Sequence, residues 1–135
     1  MSYASIRNLT AALWTGQNYG SGIEHSKRLL DAAPPSTALQ LGLWLVGAEA
    51  DLIDGKLDGA VGELIGFVRW AAPRTVYVRI GYEFDSPGNA YDPESFRAAY
   101  RVVAEALGKE PNVRRVWHSW AFYETFGGFG FSEWW

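Results

Sequence analysis

Two carboxylates, Glu83 and Asp85, close a short apolar segment, Val76-Tyr77-Val78-Arg79-Ile80. Tyr82 and Asn89 stand close by, and His118 and Trp120 follow further along the chain. A carboxylate at the end of a buried strand can pass a proton to or from a bound molecule, while Tyr, Asp, Asn and His side chains can hold hydroxyl groups in place. In parallel α/β folds ligands bind beyond the carboxyl ends of the strands, which is where Glu83 falls. Strand alternation carried through the segment puts Tyr77, Arg79, Gly81 and Glu83 on one face, with Arg79 about 13 Å before the carboxylate. The same spacing fits two structural roles: Glu83 capping a loop or pairing with an arginine, and Arg79 neutralising an acidic cluster inside the fold.

The elements that must position these residues follow from pattern and punctuation. Asp92, Pro93 and Gly108 predict a helix over Pro93 to Leu107, with Phe96, Ala99, Tyr100, Val103 and Leu107 on its apolar face. A second helix is predicted from Leu57 to Ala71, burying Leu57, Val61, Leu64, Ile65 and Val68. Its glycines Gly59, Gly62 and Gly66 each cost about 1 kcal/mol relative to alanine, so packing must support it. A third runs from Ile23 to Ala33, before Pro34-Pro35. Apolar runs at Ala11 to Trp14, Leu41 to Val46, Val76 to Ile80 and Val113 to Trp117 read as strands. The alternation of strands and helices calls for a parallel sheet with right-handed crossovers. The expected fold class is therefore α/β, a partial (β/α)8 barrel with four to five strands. A complete barrel takes about 250 residues, so residues 1–135 are expected to be a single, incomplete barrel domain.

Composition narrows the function. Seven each of Trp, Tyr and Phe in 135 residues, with 48% hydrophobic residues, supply a core and exclude a disordered tail. A net charge of −3 and the lack of a basic run make nucleic acid an unexpected partner. No stretch approaches the ~18 apolar residues of a membrane span, so no membrane partner is expected. Residues Met1 to Asn8 lack the apolar stretch of a signal peptide, which leaves compartment open, a secreted parent included. With no cysteine, and with His25 and His118 as the only histidines, neither a metal nor another cofactor is expected.

The segment Arg79-Ile80-Gly81-Tyr82-Glu83-Phe84-Asp85, with Asn89, Tyr91 and then Val116-Trp117-His118-Ser119, resembles the fourth and fifth strand regions of glycoside hydrolase family 26-type enzymes, the β-mannanase-like members of a retaining (β/α)8 clan. The similarity extends upstream through Thr15-Gly16-Gln17-Asn18-Tyr19, the run Leu41 to Val46, and Gly55-Lys56-Leu57-Asp58. The resemblance implies that Glu83 is the general acid/base and that the substrate is a β-linked glycan such as mannan. Tyr82, Asp85, Asn89, His118 and Trp120 would then contact the sugar. It also implies a nucleophilic glutamate on a seventh strand, beyond Trp135, so that the chain alone is expected to be nearly inactive. Family mannanases carry His where this chain has Tyr82, and Trp residues where it has Ser86-Pro87-Gly88-Asn89.

The aromatic residues Trp117, Trp120, Tyr123, Phe126, Trp134 and Trp135 fit either a platform for sugar rings or ordinary packing. Glu124 and Glu133 match no family nucleophile. A rival reading of the whole is a non-catalytic carbohydrate-binding or assembly module derived from such a barrel. Half a barrel would also leave open sheet edges, apolar on both faces, through which copies could associate.

Overall fold

Four short runs separated by helices form one parallel sheet in the computed structural model, which describes residues 1–10, 22–120 and 131–134. The elements in chain order are β1 (Ser2–Ser5), α1 (Ile23–Asp31), β2 (Leu39–Trp44), α2 (Glu49–Ile53), α3 (Asp58–Ala71), β3 (Val76–Ile80), α4 (Pro93–Leu107) and β4 (Val113–Val116), with a closing 3-10 turn at Phe131–Trp134. The strand order is β1-β2-β3-β4, all pairs parallel. A four-stranded parallel sheet with alternating helices is the build expected of part of an α/β barrel.

The two faces of the sheet differ. Ala4, Leu41, Leu43, Val76, Val78 and Ile80 are buried in one cluster with Leu30, Leu52, Leu64, Val68, Phe96 and Val103 from the helices. The opposite face carries Tyr3, Gly42, Arg79 and Val116 in one row across the sheet, by the register of the three pairings. Gln40, Tyr77 and Arg114 are exposed on that second face. Among the described residues, this second face is aromatic and polar rather than apolar, Tyr3 of β1 and Arg114 of β4 included, which differs from the expectation of edges apolar on both sides.

Helix α4 has the predicted bounds, and Asp92 caps it by accepting the Ser95 N–H at 2.9 Å. Phe96, Ala99, Val103 and Leu107 are buried on its inner face, with Tyr100 half-buried. Helix α3 begins one residue later than expected, and α1 ends at Asp31. Strand β3 matches its predicted bounds, whereas β2 starts at Leu39 and stops at Trp44. The predicted strand Ala11 to Trp14 lies outside the described residues. The first described strand is instead β1, whose sequence Ser-Tyr-Ala-Ser gave little apolar signal. Ser2 and Ser26 are both fully buried, and their hydroxyls share a hydrogen bond of 2.8 Å. That pairing satisfies two buried polar groups at once and lets a polar segment occupy the sheet. Helix α2, five residues long, was also missed; it is too short for periodicity to reveal.

Candidate active site

The backbone after β3 turns sharply. Gly81 has φ 57 and Glu83 φ 56, so both lie in the left-handed region. For a glutamate this conformation carries strain on the order of 1 to 3 kcal/mol and must be held by its surroundings. Gly81 has its own reason: a Cβ there would come within 2.4 Å of Phe96 Cε2, so α4 can approach the strand end only where there is no side chain. Strand alternation therefore ends at Ile80. Tyr77 and Arg79 share a face as expected, but Glu83 is placed by the turn and not by the strand's period.

Three groups fix the turn. The Glu83 N–H donates to the His118 carbonyl at 2.8 Å and reaches His118 Nδ1 at 3.2 Å. The Asn89 side-chain amide donates to the Glu83 carbonyl at 2.7 Å and the Tyr82 carbonyl at 3.2 Å. The Ser86 N–H closes a tight turn on the Glu83 carbonyl at 2.9 Å. Further along the loop, the Tyr91 hydroxyl accepts the Leu45 N–H at 3.2 Å, which ties the loop to the end of β2. The Glu83 carboxylate itself is half-buried and makes no hydrogen bond or ion pair among the described residues. Its backbone is fastened while its carboxylate is left unengaged among the described residues.

Asp85 is different. It is buried, and its oxygens accept the Ser119 hydroxyl and the Trp120 N–H. It thereby fastens the segment after β4 to the segment after β3. Trp120, held at this point, is 43% exposed, so its ring is available to solvent. Trp117 and Trp134 are packing residues: Trp117 meets Phe84 and Tyr100 at 4.6 Å between ring centroids, and Trp134 lies 5.2 Å from Phe84. Tyr123, Phe126, Trp135 and Glu124 lie outside the described residues. The backbone carbonyl of Glu133 accepts a hydrogen bond from Arg97 of α4.

Beneath the turn, Arg79 is only 7% exposed. Its guanidinium lies over the rings of Tyr82, at 5.2 Å, and Tyr3, at 5.6 Å, while Nη1 is 3.3 Å from His118 Nε2. No carboxylate pairs with it among the described residues. The expectation that Arg79 neutralises an acidic cluster is thus replaced by stacking on aromatic faces, an alternative way of lodging a weakly hydrated cation. Gly42 makes this possible, because a Cβ there would sit 2.7 Å from the Tyr3 ring and 3.1 Å from Arg79 Nη2. Tyr3 and Trp44 are the members of this cluster that sequence reasoning missed; the register that sets Tyr3, Gly42 and Arg79 side by side is visible only once β1 is recognised.

Tyr82 packs against Tyr3 at 5.3 Å and Trp44 at 5.7 Å. Burial raises its pKa far above the ordinary phenol value, and its hydroxyl has no hydrogen-bond partner among the described residues. His118 is pushed the other way. Burial first, then the Arg79 guanidinium, lowers its pKa, against the opposing pull of Glu83 and Asp85. The imidazole is therefore kept neutral at pH 7, so only one of its nitrogens can accept, Nδ1 from the Glu83 N–H or Nε2 from the Arg79 guanidinium, while the other carries the ring hydrogen. Among the described residues no group of three His, Cys, Asp or Glu side chains is arranged to hold a metal ion, and no helix is long and apolar enough to cross a membrane.

The geometry at the strand ends brings Tyr82, Glu83, Asp85, Asn89, His118 and Trp120 into one connected network. Two curated proteins match the chain across 99% of its length: beta-1,3-xylanase TXYA of a Vibrio species and a beta-1,3-xylanase of an Alcaligenes species, each 30% identical over 138 residues. The chain spans 29% and 28% of their respective lengths. No protein-family profile matches it.

Proposed function

We propose that these residues form the acid/base side of the active site of a retaining glycoside hydrolase acting on a β-linked polysaccharide, with Glu83 as the proton donor. The observation that carries this reading is the Glu83 carboxylate, half-buried and unengaged on a fastened turn after β3, in a chain similar along its length to two β-1,3-xylanases. A retaining mechanism uses two carboxyl groups about 5 to 5.5 Å apart, one to protonate the leaving oxygen and one to attack the anomeric carbon. Asp85, both of whose oxygens are engaged, is not suited to be the second. The nucleophile is therefore assigned outside the described residues, and residues 1–135 are taken as one part of a larger barrel domain.

The names of the relatives make β-1,3-linked xylan the first substrate to try; the family 26-type resemblance keeps mannan as the second. Tyr82 carries a buried hydroxyl without a partner among the described residues, and Trp120 offers an exposed ring for a sugar face.

The test is Glu83→Gln in a protein that carries this chain within its complete barrel. Turnover of β-1,3-xylan or mannan should fall by about 10²- to 10⁴-fold, and an aryl glycoside with a good leaving group should suffer much less, since it needs no proton. Unchanged turnover of the polysaccharide would sink the assignment. Glycan binding by the wild type without hydrolysis would favour the rival reading, a non-catalytic carbohydrate-binding or assembly module.

A further inference from the structure

We infer that Asn89 is a positioning residue: its side-chain amide holds the left-handed turn that presents Glu83, and it donates no hydrogen bond to the glycan. The inference rests on the reading of Glu83 as acid/base and deepens it.

Successive carbonyls of an extended chain point to opposite sides of the strand. The carbonyls of Tyr82 and Glu83 nevertheless converge on one nitrogen, Asn89 Nδ2, at 3.2 and 2.7 Å. They can do so because the chain is left-handed at Glu83, with φ 56. An amide nitrogen has two hydrogens, so both donors of Asn89 are consumed by these carbonyls and none is left for a sugar hydroxyl. The residue is itself 93% buried by its 7% exposure, and its own N–H is anchored to the Ser86 carbonyl at 3.0 Å, so the clamp is rigid. His118 grips the same turn from the other side through the Glu83 N–H.

Asn89→Asp keeps the size of the side chain and replaces its two donors by an acceptor. In the 135-residue chain, the Glu83 N–H of this variant should exchange with solvent at least about tenfold faster than in the wild type, because the turn that fixes it opens more often. Within an active protein, kcat should fall by about 10- to 100-fold with KM changed less than about twofold, the pattern of a misplaced acid group rather than a lost sugar contact. A raised KM with kcat intact would overturn the inference, as would unchanged amide exchange.

Should Asn89→Asp fail to fold, Asn89→Ala, which removes both donors without setting a carboxylate against the two carbonyls, is compared alone and with Glu83→Gly. Glycine adopts the left-handed turn without strain, so Glu83→Gly should stabilise Asn89→Ala more than it stabilises the wild type; an equal gain would overturn the clamp. Full activity of Glu83→Gln would remove the acid/base reading alone, leaving the exchange measurement to judge Asn89 by itself.

Discussion

His118 is the residue most sensitive to solution conditions in this network. Its neutral ring lies between the Glu83 N–H and the Arg79 guanidinium, and its pKa is depressed by burial and by that cation. Because the folded chain takes up this proton less readily than the unfolded chain, its contribution to stability is complete above the unfolded value, about 6.5. That contribution is lost as pH falls through the depressed folded value. The urea midpoint should therefore drop between pH 7.5 and 5.5, and His118→Asn should flatten that dependence. An equal drop in the variant would show that other groups govern it. The candidate residues themselves were legible in the sequence because a carboxylate after a buried strand stands out. What each one does was less legible. Whether a polar side chain faces a ligand or the protein's own backbone depends on the turn that carries it. Nothing in the order Glu83-Phe84-Asp85 announces a left-handed glutamate or a carboxylate bound by Ser119 and Trp120.

At the scale of elements, the long helix α4 was readable to the residue, since its cap, its first-turn proline and its apolar stripe all agree. Strand β1 and helix α2 were not, being short and without a clear period. The contact between α4 and β3 is the one on which the site depends most directly, through Phe96 against Gly81. Gly81→Ala should destabilise the fold by about 2 to 4 kcal/mol, combining the overpacked Phe96 ring with a left-handed alanine. Gly59→Ala makes the contrast. It lies in α3 with no atom near its added methyl group, and should stabilise the chain by up to about 1 kcal/mol. Thermal or urea denaturation of the two variants checks both signs, and a neutral Gly81→Ala would refute the steric account.

For the molecule as a whole, the fold class was legible from the alternation of strands and helices, while the character of the open face was not. Periodicity marks which positions alternate, but it did not foretell that Arg79 would lie on two tyrosine rings over Gly42. In the described sheet β1 and β4 are the outer strands. Parallel strands left with free edges invite pairing, so light scattering on the 135-residue chain at high concentration should detect dimers or larger species. A persistent monomer would mean that its edges are protected.

The unbroken strand order has a consequence for how such a sheet comes into being. Each of the first three described strands pairs with the strand that follows it in the chain, so among the described strands no pairing has to wait for a distant partner. Pairing can proceed in the order of synthesis, with each new strand laid against a finished edge while its helix closes over the same face. Chain closure stays comparatively local at every step, which keeps the entropic barrier of each addition small. The turn bearing Glu83 then takes its final shape only after β4 has arrived, because the His118 carbonyl that accepts its N–H lies just beyond that strand. The site thus matures one strand later than the strand that carries it.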